Sequence, residues 1–246
     1  MAEGRALLVI ADIGGYTRYM KMHRIGLAHA EANTSRLLEA VIDAAPRFEL
    51  IEIEGDAAFL ADRRPGPDAA AAVTEAALAM YRAFHLEQAR MIAANLCTCV
   101  GCVAVGRLRL KCVAHVGDVA EQRIRDRTKL VGVDVILVHR LLKNAVPVEE
   151  YLLLSEELYR SCDDATRSRA CAVDQELEGL GTIRAYYVDL DVLAEPVPQP
   201  PSPGIGERIA TTVRTIAGGA PYVMGLRRLP QRGASLSGGD EQAQPL

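Results

Sequence analysis

The chain has 246 residues, a formal charge of -4, 50% apolar residues, six Cys and no Trp. That length suits one full core plus an appendage, or two small domains. The acidic balance argues against a general nucleic-acid binder, and no apolar run approaches the length that spans a bilayer. The opening MAEGRALLVIAD lacks the basic start and long apolar segment of a secretory signal, so the expected location is the cytoplasm. Thiols stay reduced there, and clustered cysteines point to metal or redox chemistry rather than disulfides.

In chain order, Ala6 to Ala11 (ALLVIA) reads as a buried strand that ends at Asp12 and Gly14-Gly15. Tyr16 to Ala45 has helical spacing, read as two helices stopped by Pro46. Phe48 to Glu54 and Ala57 to Ala61 form strand-like runs around Gly55-Asp56, a hairpin signal. Asp68 can cap a long helix on which Val73, Ala77, Met80, Phe84 and Met91 share a face interrupted by Glu87. After NLCTCVGC comes a strand, LKCVAHV, closed by Gly117-Asp118. Val133 to Ala145 is a strongly apolar helix, followed by a strand at Tyr151 to Ser155 and a helical turn at Glu156 to Ser161. Strands around Cys171 to Leu177 and Ile183 to Asp191 complete an α+β sandwich, with helices returning onto one antiparallel-rich sheet. This domain covers residues 1–193. A Pro-rich linker (194–206) leads to a tail (207–246) with a brief amphipathic helix through Ile209, Val213 and Ile216, a solvated charge pair at Arg227-Arg228, and a disordered end, RGASLSGGDEQAQPL.

Two strands end near carboxylates, Asp12 and Asp56. If the first strand lies beside the hairpin, both meet at one end of the sheet, where two carboxylates suit Mg²⁺ or Mn²⁺ with phosphates completing the shell. The residues alone leave a second reading open, in which Asp12 caps the next helix and Asp56 fills a turn. Cys97, Cys99 and Cys102 (C-T-C-V-G-C) put three thiols on a tight turn, as Zn²⁺ requires, with Cys112 or His115 as a fourth ligand. The other reading there is three small semi-buried residues plus a core cysteine. Cys162 and Cys171 read as structural, His115 as a packed histidine, His139 as a partly exposed helix residue, and Glu54 as a solvated charge.

ADIGGYT, EIEGDAAF, HVGDV, GVDVILVHR and GLGTIRAYYVD occur in an order and at spacings that resemble the catalytic domain of the class III adenylate/guanylate cyclases, over roughly Arg5 to Leu193. The C-x-C-x-x-C insert is similar to that of an uncharacterised bacterial group of cyclase-like proteins. The resemblance implies a ferredoxin-like α+β sandwich that works as a homodimer on a purine nucleoside triphosphate. Asp12 and Asp56 match its two metal-binding aspartates. Arg140 matches the arginine that a partner chain supplies to the transition state. Glu52 and Lys129 match the two base-reading positions, and Glu at the first resembles guanylate-type members.

Three departures accompany this match, the first being Lys129, which stands at a base-reading position where the family usually has Asp or Cys. Ile136 stands where the family orients the ribose with Asn, and Glu178 stands where it holds the triphosphate with Lys. The expectation is therefore a divergent nucleotidyl cyclase-like protein that binds a divalent metal and a purine nucleotide. The alternative is a catalytically inactive regulatory or dimerisation domain with a cysteine metal or redox site.

Overall fold

The computed structural model describes residues 3–21, 27–96, 100–125, 127–206 and 208–213. Strand β1 (Glu3–Gly14) is followed by helices α1 (Tyr16–Lys21) and α2 (Leu27–Asp43), the hairpin β2 (Glu49–Glu54) and β3 (Ala57–Asp62), and the long helix α3 (Ala69–Ala94). Then come α4 (Val100–Ala104), a 3-10 turn at Val105–Arg107, β4 (Arg109–Ile124), β5 (Arg127–Val131) and α5 (Val133–Leu141). The chain continues through β6 (Tyr151–Ser155), α6 (Glu156–Arg160), α7 (Asp164–Arg169), β7 (Cys171–Leu177), β8 (Gly181–Asp189) and α8 (Leu190–Leu193).

The strands form one sheet in the order β2-β3-β1-β4-β6-β8-β7, with β5 paired to the far end of β4. All the pairings are antiparallel except β4 with β6. This is the expected α+β sandwich. Period-2 alternation divides β1 between two cores. Leu7, Val9, Ala11 and Ile13 face the larger core with residues of α2 and α3, including Leu37, Val73, Met80 and Phe84. Ala6, Leu8 and Ile10 face the smaller core with Val135, Val138 and Leu141 of α5. β1 is therefore buried on both sides, which explains its continuous apolar run.

Several local expectations need correction. Asp68 does not cap α3 with its side chain, because its carboxylate is taken by Arg47 at 2.6 Å. Glu87 breaks the α3 stripe to pair with Arg36 of α2 at 2.5 Å. Gly117-Asp118 does not close β4, which runs on to Ile124. Gly117 serves packing instead: a Cβ there would lie well inside the van der Waals radius of the Asp134 side chain. Asp134 in turn accepts the Asp118 N–H at 2.6 Å. α5 stops at Leu141 rather than Ala145, and Val133 and Ile136 stay exposed on it. In the tail, residues 205–206 and 208–213 are helical, but Ile209 and Val213 are exposed; Ile216 and Arg227-Arg228 lie outside the described residues.

Candidate functional site

β1 and β3 carry the two aspartates to one end of the sheet. In their antiparallel register Asp12 lies opposite Ala57, and Ile13 N–H donates to the Asp56 carbonyl at 3.1 Å. Asp12 and Asp56 line one cavity of about 930 Å³, whose walls come from the β1–α1 turn, α1, the 3-10 turn, the start of β4 and residues 142–149. Burial raises the Asp12 pKa, partly opposed by the Lys111 ammonium. The Asp56 pKa is raised to about 7, first by burial and then by the Asp12 carboxylate. Two desolvated carboxylates that repel each other fit a hard divalent cation, which relieves both penalties at once.

Lys111 went unrecognised in the sequence. It lies directly opposite Asp12 in the β1–β4 register and lines the same cavity. A Cβ at Gly14 would meet its Cε at 3.0 Å, so the absent side chain there lets the lysine pass over the strand end. The detectable signal was parity. Lys111, Val113 and His115 alternate with Cys112 and Ala114, which places a lysine on the face that Asp12 takes on β1.

Glu52 on β2 and Lys129 on β5 come together although they are far apart in sequence. Lys129 Nζ donates to both Glu52 carboxylate oxygens at 3.0 Å. Neither residue lines the aspartate cavity, and nor does Arg140. Arg140 packs its guanidinium against the β7–β8 turn, with Nη1 at 3.6 Å from where a Cβ on Gly179 would sit. Ile136 is 48% exposed on α5 and offers no hydrogen bond. Glu54 is not simply solvated, because its carboxylate lies 3.6 Å from His139 Nδ1, and the His139 ring stacks edge-on against Phe59.

Of the expected thiol cluster, Cys97 and Cys99 lie outside the described residues. Cys102 is buried on α4, and among the described residues no group of three His, Cys, Asp or Glu is arranged to hold a metal. The two expected fourth ligands lie on opposite faces of the sheet. Cys112 is enclosed in the larger core, and burial pushes its thiol up to about 12, which keeps it protonated. His115 faces α5 on the opposite side of the sheet, bonded through Nδ1 to Ser155 Oγ at 2.9 Å and with Nε2 3.1 Å from Asp134. Burial lowers the His115 pKa despite that carboxylate, as fits a packed histidine.

A second buried cluster had no signature in the sequence. Glu150, immediately before β6, accepts the Leu110 N–H at 2.8 Å and faces His85 Nε2 of α3 at 2.9 and 3.0 Å. Tyr81, one turn before His85, donates to Asp191. This network ties α3 to the strand that carries Lys111.

The uncharacterised protein Rv2561/Rv2562 of Mycobacterium tuberculosis is 35% identical over 194 residues, covering 79% of this chain and 90% of the mycobacterial protein. The chain belongs to the same family as that protein. Residues 34–151 also match a family model described as a protein of unknown function, DUF2652. Among solved structures, the fold is similar to the adenylyl cyclase CyaB from P. aeruginosa, with a TM-score of 0.55 at 15% identity, covering 82% of this chain and 98% of that one. It is also similar to the guanylate cyclase domain of RhGC from Catenaria anguillulae, solved in complex with GTP, with a TM-score of 0.53 at 19% identity, covering 76% and 98%. The fold of this family member is thus that of class III cyclase catalytic domains. Among the described residues, no helix is long and apolar enough to cross a membrane.

Proposed function

We propose that the chain is a divergent nucleotidyl cyclase-like domain that binds a divalent cation together with the phosphates of a purine nucleotide. The observation behind this reading is the pairing of Asp12 and Asp56 in one large cavity beside Lys111. The two carboxylates would hold Mg²⁺ or Mn²⁺, and the ion would supply Lewis-acid charge against phosphate oxygens. Lys111 adds a positive charge at the same strand end, opposite Asp12 in the ladder. Glu52 and Lys129 set an acceptor beside a donor at 3.0 Å, a pairing suited to the hydrogen-bonding edge of a purine.

Glu52, Lys129 and Arg140 stand outside the cavity of their own chain, so a complete site needs a second copy to bring them to it. Ile53 on β2 and Val133 and Ile136 on α5 are exposed apolar residues on the elements that bear Glu52 and Arg140, and they suit such a contact. Arg140 of that copy would offset charge on the phosphate, while Ile136 leaves the ribose without a hydrogen bond. The reading is therefore nucleotide binding first, with cyclisation slow beside ordinary cyclases.

Purified protein incubated with ATP or GTP and Mn²⁺ tests this by chromatography of the products. Bound nucleotide, with cyclic nucleotide and pyrophosphate formed slowly and lost in Asp56→Ala, supports the reading. Absence of both binding and product refutes it in favour of a regulatory or dimerisation domain.

A further inference from the structure

The cavity that holds Asp12 and Asp56 has a second, basic wall. Its lining contains six basic side chains, Arg18, Lys21, Arg107, Arg109, Lys111 and Lys143, against three acidic ones, Asp12, Asp56 and Glu149. That excess stands out on a chain with a net charge of -4. Arg109 is already engaged, with Nε at 3.2 Å from Glu149 and 3.9 Å from Glu150. Arg107 and Lys143 make no side-chain ion pair or hydrogen bond among the described residues. Elsewhere on the surface, arginines such as Arg47 and Arg184 are matched to carboxylates at 2.9 and 2.8 Å.

Arg18, Lys21 and Lys111 are likewise unpaired among the described residues, but Arg107 and Lys143 are the cations of this wall that sit on clamped loop segments. Buried Gln88 of α3 donates from Nε2 to the carbonyls of Val105 at 2.9 Å and Leu108 at 3.0 Å, clamping the turn that presents Arg107 from both sides. Asn144 does the same for the segment that presents Lys143. Its Nδ2 donates to Leu141 O at 2.8 Å, while its Oδ1 accepts from Val146 N at 3.1 Å and from Tyr151 Oη at 2.9 Å. Such clamps hold the backbone under each cation while its side chain stays available, which lowers the ordering cost of binding an anion. A cavity of about 930 Å³ has room for an extended phosphate chain reaching from the aspartates to this wall.

We infer that Arg107 and Lys143 grip the far phosphates of a linear di- or triphosphate whose near end lies at Asp12 and Asp56 of the same protomer. The inference rests on the reading of the cavity as a cation-and-phosphate site, but not on catalysis or on a second copy. A nucleoside triphosphate and inorganic tripolyphosphate offer this same chemistry.

Titration calorimetry on the full chain with Mg²⁺ tests it, using inorganic tripolyphosphate and GTP as separate ligands. Arg107→Ala and Lys143→Ala are each expected to weaken tripolyphosphate binding about 5- to 10-fold, and together about 50-fold, as for loss of two independent charged contacts. Arg160→Ala, which removes an exposed charge from α6, should change it less than about twofold. GTP should suffer the same losses, and whichever ligand binds wild type more tightly identifies the source of the phosphates. The grip is overturned if wild type binds tripolyphosphate but Arg107→Ala and Lys143→Ala behave like Arg160→Ala; the cavity reading would then stand. It is equally overturned if GTP binds and tripolyphosphate does not. If neither ligand binds, the cavity reading falls and the grip with it.

Discussion

Asp56→Asn is expected to stabilise the metal-free protein at alkaline pH and to abolish its response to Mg²⁺. The Asp56 pKa in the folded chain is about 7, against 3.8 for an unperturbed carboxyl, because the group is buried beside Asp12. The folded state therefore holds a proton that the unfolded state has released between pH ~4 and ~7, so stability falls as pH rises through that window. Three units correspond to roughly 4 kcal/mol at full burial, and about half of that remains once partial solvent access is discounted. About two of those three units fall between pH 5 and pH 8, so with the same discount urea denaturation of wild type should show a loss of about 1 kcal/mol across that range, and the Asn variant should lose most of that slope. Saturating Mg²⁺ should restore wild-type stability at pH 8 more than at pH 5, and should not affect the variant. A wild-type curve flat between pH 5 and 8 refutes the reasoning, as does an equal Mg²⁺ response in both proteins.

Gly117→Ala forces Asp134 aside, breaking its 2.6 Å bond to Asp118 N–H and its 3.1 Å approach to His115; denaturation should show a loss of about 2–3 kcal/mol. Glu150→Leu leaves the buried Leu110 N–H and His85 Nε2 without their acceptor, and should cost about 3 kcal/mol, whereas Glu150→Gln should cost less, because its amide oxygen still reaches Leu110. Lys129→Ala frees the Glu52 carboxylate from its 3.0 Å ion pair and should shift nucleotide preference between GTP and ATP in competition binding, with little change in thermal stability, since the pair is surface-exposed.

What could be read in advance follows from where each signal resides. β1 was legible because burial on both faces leaves Leu7 through Ile10 as an unbroken apolar run, and the α3 stripe because one-sided burial imposes a period that Val73 through Phe84 keep. Asp12 and Asp56 were legible as a pair because each terminates a strand-like run, and the β1–β3 register then joins those ends. β4 was cut short because Gly117-Asp118 carries turn chemistry; its glycine instead accommodates Asp134, a contact 17 residues on that local pattern cannot display. The Glu150–His85 pair spans 65 residues and depends on α3 crossing β4 and β6. The basic wall was hidden for the same reason. Arg107, Lys111 and Lys143 belong to three segments, each of which looks like an ordinary solvated charge until the fold gathers them around one cavity.

The central claim is that Asp12 and Asp56 bind a nucleotide through a divalent cation. Calorimetric titration of GTP into the wild-type chain and into Asp12→Asn/Asp56→Asn, each with and without Mn²⁺, tests it most directly. The account predicts binding by wild type that requires Mn²⁺ and is lost in the double variant. Binding that is independent of Mn²⁺, or unchanged in the double variant, would contradict it.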